Sequence, residues 1–93
     1  MQSFDLTGRR TLVTGGAGGI GKAAAELFTQ LGARVVIADV EAQSASKAAA
    51  DTQALGFQVG DVSVEADAMR MVDGAADQLG GLDAVFHCAG IHK

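Results

Sequence analysis

Thr14-Gly15-Gly16-Ala17-Gly18-Gly19-Ile20-Gly21 is the stretch on which the fold of this chain turns. The apolar run Thr11-Leu12-Val13 leads into it, and an amphipathic segment beginning near Ile20 leaves it. Strand, glycine-rich turn and helix in that order make a seat for a phosphate. Glycine has no side chain, so backbone can come close to a ligand. The first turn of the helix offers unpaired N–H groups and the positive end of the helix dipole, and both favour an anion. The arrangement predicts a dinucleotide diphosphate seated over the turn.

Outward from the turn, the pattern alternates. The preceding strand is Arg10 to Thr14. The following helix runs from about Gly19 to Leu31, with Ile20, Ala23, Ala24, Leu27, Phe28 and Leu31 at the spacing of one helical face, and Gly32 as its stop. Arg34-Val35-Val36-Ile37-Ala38-Asp39 is apolar on both sides, as a strand buried between two layers must be. Alanine-rich Glu41 to about Leu55 reads as a helix ended by Gly56, and Phe57-Gln58-Val59 as a brief strand. Ser63 is placed to cap a third helix, with Glu65 and Asp67 in its first turn and Ala68, Val72, Ala75, Ala76 and Leu79 on one face. Gly80-Gly81 break that helix, and Leu82 to about Cys88 forms the last strand. The order β-α-β-α-β-α-β implies an α/β fold: a doubly wound parallel sheet of four strands with three helices and right-handed crossovers.

Composition narrows the function. The 93 residues suffice for one small domain, and 48% of them are apolar. A net charge of −4 argues against nucleic acid as partner. No apolar run reaches the ~18 residues of a membrane span, and Met1-Gln2-Ser3-Phe4-Asp5 has neither the basic nor the apolar part of a signal peptide. The one cysteine, Cys88, forms no internal disulfide, so a reducing, cytoplasmic setting is the expectation.

Two phosphate motifs can be laid on the turn. The dinucleotide pattern GxGxxG falls on Gly16, Gly18 and Gly21, and Asp39 follows near the ~20 residues at which a carboxylate holds the ribose hydroxyls. Such a carboxylate repels a 2′-phosphate, so NAD is expected over NADP; the plain structural alternative is that Asp39 caps the second helix. Gly16 to Gly21-Lys22 also matches GxxxxGK, the phosphate loop of nucleotide triphosphatases, but Ala23 lacks the hydroxyl that the magnesium ion needs.

Thr14-Gly15-x-x-x-Gly19-Ile20-Gly21 resembles the cofactor motif of the short-chain dehydrogenase/reductase family. Gly8-Arg9-Arg10-Thr11-Leu12-Val13-Thr14-Gly15 resembles that family's opening strand. Asp39, Asp61-Val62 and Gly81-Leu82-Asp83 fall where the second, third and fourth strands of the family end or begin, and Ala89-Gly90-Ile91 resembles the tail of its Asn-Asn-Ala-Gly motif. The two asparagines are here His87 and Cys88. The resemblance implies a Rossmann-type sheet in the order 3-2-1-4, a nicotinamide cofactor, and hydride transfer between NAD(H) and a small alcohol or carbonyl substrate, in a parent that is a homo-oligomer. It implies cofactor contacts from Gly15, Gly18, Gly19, Ile20, Gly21, Asp39, Asp61, Val62, Ala89 and Gly90. Gly15 would make the turn, Gly18 and Gly19 would admit the diphosphate, and Gly21 would let the helix pack closely. Asp61 and Val62 would border the adenine; otherwise Asp61 merely starts a turn.

His87 and Cys88 are expected to be buried structural residues, because neighbours on a strand face opposite ways and a zinc site needs three or four ligands. In the family, catalysis uses a serine and a Tyr-x-x-x-Lys pair on later elements, and this chain has no tyrosine. Residues 1–93 are therefore expected to be the N-terminal dinucleotide-binding part of one Rossmann domain, truncated after its fourth strand, with no turnover of its own. Apolar residues of the first two strands would be partly bare, the last strand an open edge, and the isolated chain only marginally stable. A complete non-catalytic dinucleotide-binding module is the main alternative, with a nucleotide triphosphatase behind it.

Overall fold

Val35, Val36 and Ile37 crowd the backbone at Cβ and favour the extended conformation; they form the centre of a parallel sheet. The computed structural model describes residues 5–88. Its elements are β1 (Arg10–Thr14), α1 (Gly19–Gln30), β2 (Arg34–Asp39), α2 (Ala42–Thr52), β3 (Gly56–Val59), α3 (Glu65–Leu79) and β4 (Ala84–His87). The strands lie in the order β3-β2-β1-β4, all parallel. Leu12 sits between Val36 and Val85, and Thr14 between Ala38 and His87. The chain thus leaves β1 toward β2 on one side and reaches β4 on the other, so a crevice opens where the order reverses.

Alternation along the strands divides the core into two layers. Leu12, Val36 and Ala38 face α3 and pack on Met71, Ala75 and Leu79. Val13, Val35 and Ile37 face the other way, onto Ala25 of α1 and Ala48 of α2. The expected Rossmann-type, four-stranded, three-helix arrangement is therefore present.

Details differ from the sequence reading, and the differences have causes. α1 packs through Gly21 and Ala25, both buried, while Ile20 and Leu27 are exposed. A Cβ at Gly21 would lie 2.0 Å from the Gly15 carbonyl oxygen, so only a line of very small residues can enter there, and the larger apolar side chains fall beside it. On α3 the packed line is Met71, Ala75 and Leu79, and Val72 is exposed. α2 ends at Thr52, with Gln53 in the left-handed conformation at φ 61°, and Gly56 begins β3 instead of ending the helix. Val64, with no side-chain bond, caps α3; the Ser63 hydroxyl is turned back to Asp61.

The bare surface also lies elsewhere. Leu12, Val13 and Val36 are wholly buried, whereas every residue of β4 is exposed, with Val85 at 51%. α3 and the first two helices bury every residue of β1 and β2 except Arg10, Arg34 and Asp39 at their ends, and the shortfall falls on the outer strands β3 and β4, none of whose residues is buried. Phe86 is held there by Phe28 of α1, ring edge to ring face at 5.2 Å.

The end of the sheet at which the strands begin is closed by polar groups. The Arg10 guanidinium donates to both oxygens of Asp83, at 3.0 Å from Nε and 2.9 Å from Nη2, and to the Gly80 carbonyl at 2.9 Å. Arg10 N–H donates to Asp83 as well. Gly81, at φ 141°, makes room: a Cβ there would lie 2.2 Å from the guanidinium. Among the described residues no helix is long and apolar enough to cross a membrane.

Candidate functional site

The glycine turn joins β1 to α1 at the opposite end of the sheet. The N–H groups of Gly15 and Gly16 both donate to the Ala38 carbonyl, which ties the turn to β2. Gly15 has φ 69°, and a Cβ there would meet the Cys88 carbonyl oxygen at 2.3 Å, so conformation and space both exclude a side chain. At Gly16 a Cβ would strike Ile37 at 2.6 Å. Gly15, Gly16 and Gly21 are therefore required by the protein itself, and Gly21 packs on the turn's own backbone.

Gly18 and Gly19 differ from these. A Cβ at Gly19 would meet nothing within 4 Å, and one at Gly18 only the Gly15 oxygen at 3.6 Å. Gly18 is the N-cap of α1; no side chain caps the helix and no acidic residue lies in its first turn. Among the described residues the first helical N–H groups have no partner and face open space. That cradle fits an anionic group.

A cleft of about 800 Å³ opens beside it, lined by Gly15, Ala17, Gly18, Asp39, Val40, Glu41, Ser44, Asp61, Val62, Ser63, His87 and Cys88, among others. Gly15, Gly18, Asp39, Asp61 and Val62 are therefore brought together. Ile20 is exposed on the first turn of α1 and Gly21 is buried beneath the turn; neither lines the cleft, and nor does Gly19. Ala89 and Gly90 lie outside the described residues.

Asp39 does more than line the cleft. One oxygen accepts from Ala17 N–H at 3.0 Å and the other from Val40 N–H at 2.7 Å. The carboxylate clamps the glycine turn to the end of β2, and each oxygen keeps lone-pair capacity for a hydroxyl donor. It does not cap α2, whose N-cap is Glu41. Asp61 does start a turn: it accepts from the Ser63 N–H at 2.9 Å and hydroxyl at 2.7 Å. The Ser63 hydroxyl, then its N–H, hold the Asp61 carboxyl below the usual carboxylate range. Val62 leaves its side chain exposed beside it.

His87 is exposed rather than buried, and its Nδ1 lies 2.6 Å from the Thr14 hydroxyl. Cys88 is partly covered, and burial pushes its thiol up. Both line the same cleft, because β4 ends at His87 and its alternation of faces ends with it. Among the described residues no three His, Cys, Asp or Glu side chains gather as a metal site. Lys22, the lysine of the phosphate-loop reading, is turned away: its Nζ lies 2.7 Å from Asp51 on α2, which also pairs with Lys47.

Glu41 and Ser44 were not foreseen in the cleft. They sit just past Asp39, on the joint into α2 and its first turn, and the Ser44 hydroxyl donates to the Glu41 carboxylate. The only advance signal was their position after a strand that ends at the crevice. The residues present form a donor set suited to a dinucleotide: free backbone N–H groups for phosphates, a carboxylate for ribose hydroxyls, and the aliphatic side chains of Val40 and Val62 for a base.

Comparison with known proteins gives the family and the fold. The family model described as short chain dehydrogenase matches residues 9–93. Sex determination protein tasselseed-2 of Zea mays is 50% identical over 91 residues, which cover 92% of this chain and 26% of that protein. Momilactone A synthase of Oryza sativa subsp. japonica is 39% identical, covering 92% of this chain and 32% of the other. A 2,5-dichloro-2,5-cyclohexadiene-1,4-diol dehydrogenase of Sphingobium indicum is 40% identical, covering 94% and 35%. The solved hydroxysteroid dehydrogenase from Escherichia coli superimposes with a TM-score of 0.87 at 30% identity, over 94% of this chain and 39% of that one. The chain spans about a third of the length of these relatives, or less.

Proposed function

The chain belongs to the short-chain dehydrogenase family, and from that premise we propose that its 93 residues form the NAD-binding part of an oxidoreductase. The parent moves a hydride between NAD(H) and a small alcohol or carbonyl compound. The observation that carries this reading is the pair Gly18 and Gly19 at the uncapped start of α1: among the described residues no atom requires their lack of side chains, and Gly18 lines the cleft. Within it, the N–H groups at the start of α1 hold the diphosphate, Asp39 orients the adenosine ribose, and Val40 and Val62 flank the base. When bound, the nicotinamide supplies the hydride acceptor or donor; this chain's part is to bind and orient.

The cofactor preference follows from charge. Among the described residues, Asp39, Glu41 and Asp61 all line the cleft, and no lysine or arginine does. A 2′-phosphate would enter a negative field, so NAD is favoured over NADP. Turnover is not expected from these residues, since they include no tyrosine to act as acid or base. The phosphate-loop alternative gains no support, because Lys22 is committed to Asp51. Titration with NADH and NADPH, followed by nucleotide fluorescence, tests the proposal. Saturable NADH binding that is tighter than NADPH binding is the expected result. No binding of either, or magnesium-dependent ATP binding in their place, defeats it.

A further inference from the structure

The end of β2 grips the glycine turn through three successive N–H groups. Gly15 and Gly16 donate to the Ala38 carbonyl, at 2.8 and 3.2 Å, and Ala17 donates to the Asp39 carboxylate at 3.0 Å. The first two ties are backbone on both sides and need no side chain. The third depends on one side chain, and that side chain is itself held, because its other oxygen accepts from Val40 N–H at 2.7 Å. Ala17 directly precedes Gly18, the N-cap of α1. Gly18 alone therefore separates the fastened Ala17 N–H from the helix whose first N–H groups have no partner among the described residues, and its own N–H makes only a long bond, 3.3 Å, to the Gly15 carbonyl. Resting on the reading of this cleft as a dinucleotide site, we infer that Asp39 is a positioning residue for the phosphates. Through Ala17 it sets the start of α1 in the arrangement that holds an anion, and so couples the ribose end of the ligand to the diphosphate end.

Charge alone predicts the opposite effect. A carboxylate in the same cleft as a diphosphate repels it, so on that ground an anion would be held better without Asp39. The clamp works the other way. Backbone N–H groups hold an anion well only when they converge on one place, and a turn free to rotate at Ala17 spreads them over several directions. The apparent affinity then falls with the fraction of molecules whose turn is correctly set. Each Asp39 oxygen accepts one N–H and keeps a lone pair for a ribose hydroxyl. A ribose bonded there holds the carboxylate on Ala17, and by linkage an anion at the start of α1 favours the same carboxylate position. The two ends of the ligand thus act on one turn through one side chain.

Removing the N–H without the charge separates the two effects. Three chains are titrated calorimetrically with NADH, inorganic diphosphate and adenosine: the parent, an ester variant in which lactate replaces Ala17 and only that N–H is lost, and Asp39→Ala. The ester variant should bind diphosphate and NADH about tenfold more weakly, the loss of one charge-assisted hydrogen bond. It should bind adenosine with nearly the parent's affinity, because Val40 N–H still holds the carboxylate. Asp39→Ala should also weaken diphosphate binding, although it removes a negative charge from the cleft. Diphosphate binding that is unchanged in the ester variant, or tighter in Asp39→Ala, overturns the inference and leaves Asp39 a ribose contact only. Equal weakening of adenosine and diphosphate in the ester variant overturns it too, since the whole cleft would then have loosened. Melting curves show whether each variant folds. If the ester variant does not, hydrogen exchange of the Ala17 amide in the parent replaces it: slower exchange with adenosine bound supports the coupling, and unchanged exchange overturns it. A parent that binds NADH but not diphosphate overturns the inference alone. A parent that binds no NADH defeats the dinucleotide reading itself, and the inference with it.

Discussion

Where the strands begin, Arg10, Asp83 and the Gly80 carbonyl satisfy one another, and Gly81 lacks a side chain because the guanidinium needs the room. Where the strands finish, the start of α1 has no cap, Gly18 and Gly19 face open space, and carboxylates line a cleft. One end of the sheet closes on itself through a buttressed ion pair; the other leaves backbone N–H groups at the start of α1 facing an open cleft. The lesson is that a glycine or a carboxylate becomes informative only once its neighbours are known. Gly81 and Gly19 look alike in sequence, yet the first accommodates a side chain of the protein and the second, among the described residues, has no atom in front of it.

The largest expected effect comes from the glycines required for packing. Alanine in a helix normally gains up to ~1 kcal/mol over glycine, but Gly21→Ala should cost ~3 kcal/mol or more, since its Cβ would overlap the Gly15 oxygen and neither backbone can yield. Urea unfolding measures this, and a neutral result would mean that the turn is not packed as described. Next is Asp39→Asn. Its amide cannot accept at both positions, so the clamp on Ala17 loosens and a hydrogen-bonding charge is lost. NADH affinity should fall about tenfold and NADPH affinity less; an unchanged ratio of the two would remove Asp39 from cofactor selection.

Gly19→Ala sharpens the contrast from the other side. With no atom in its way, the new methyl should leave stability unchanged or raise it by up to ~1 kcal/mol, while NADH binding weakens several-fold. A loss of stability with binding intact would reverse the roles given to the two classes of glycine. The smallest effect is expected at the far end. The Arg10 side chain, then its N–H, hold the Asp83 carboxyl well below the usual carboxylate range. A folded-state pKa below the unfolded one gives stability that is present above about pH 4 and is lost as the pH falls further. Arg10→Ala should flatten part of that acid slope in melting temperature and leave NADH affinity unchanged, and salt should reduce the difference because the pair is exposed.

Much of this was legible in the chain itself. The four strands fall within two residues of their expected bounds at either end, and Gly32 and Gly80 stop their helices as expected, at φ 97° and 77°. These features follow from local chemistry: β-branching, glycine's access to positive φ, and the period of apolar residues are properties of a few adjacent positions. The cleft was legible in part. Gly15, Gly18, Asp39, Asp61 and Val62, all marked by the family pattern, line one cleft, whereas Glu41 and Ser44 carry no motif, and Ala89 and Gly90 lie outside the described residues.

The amino-acid order was enough for the succession of strands and helices, the sheet order that comes with the family pattern, and the location of the glycine turn. Tertiary structure decided which residues face one another. It put Gly21 and Ala25 rather than Ile20 and Leu27 against the sheet, turned Lys22 to Asp51, gave both oxygens of Asp39 a backbone partner, and left β4 rather than β1 and β2 bare. The reason is physical. Backbone preference is settled within a few bonds, but burial, ion pairing and hydrogen bonding depend on distances between segments far apart in the chain, and those distances exist only after the helices have docked on the sheet.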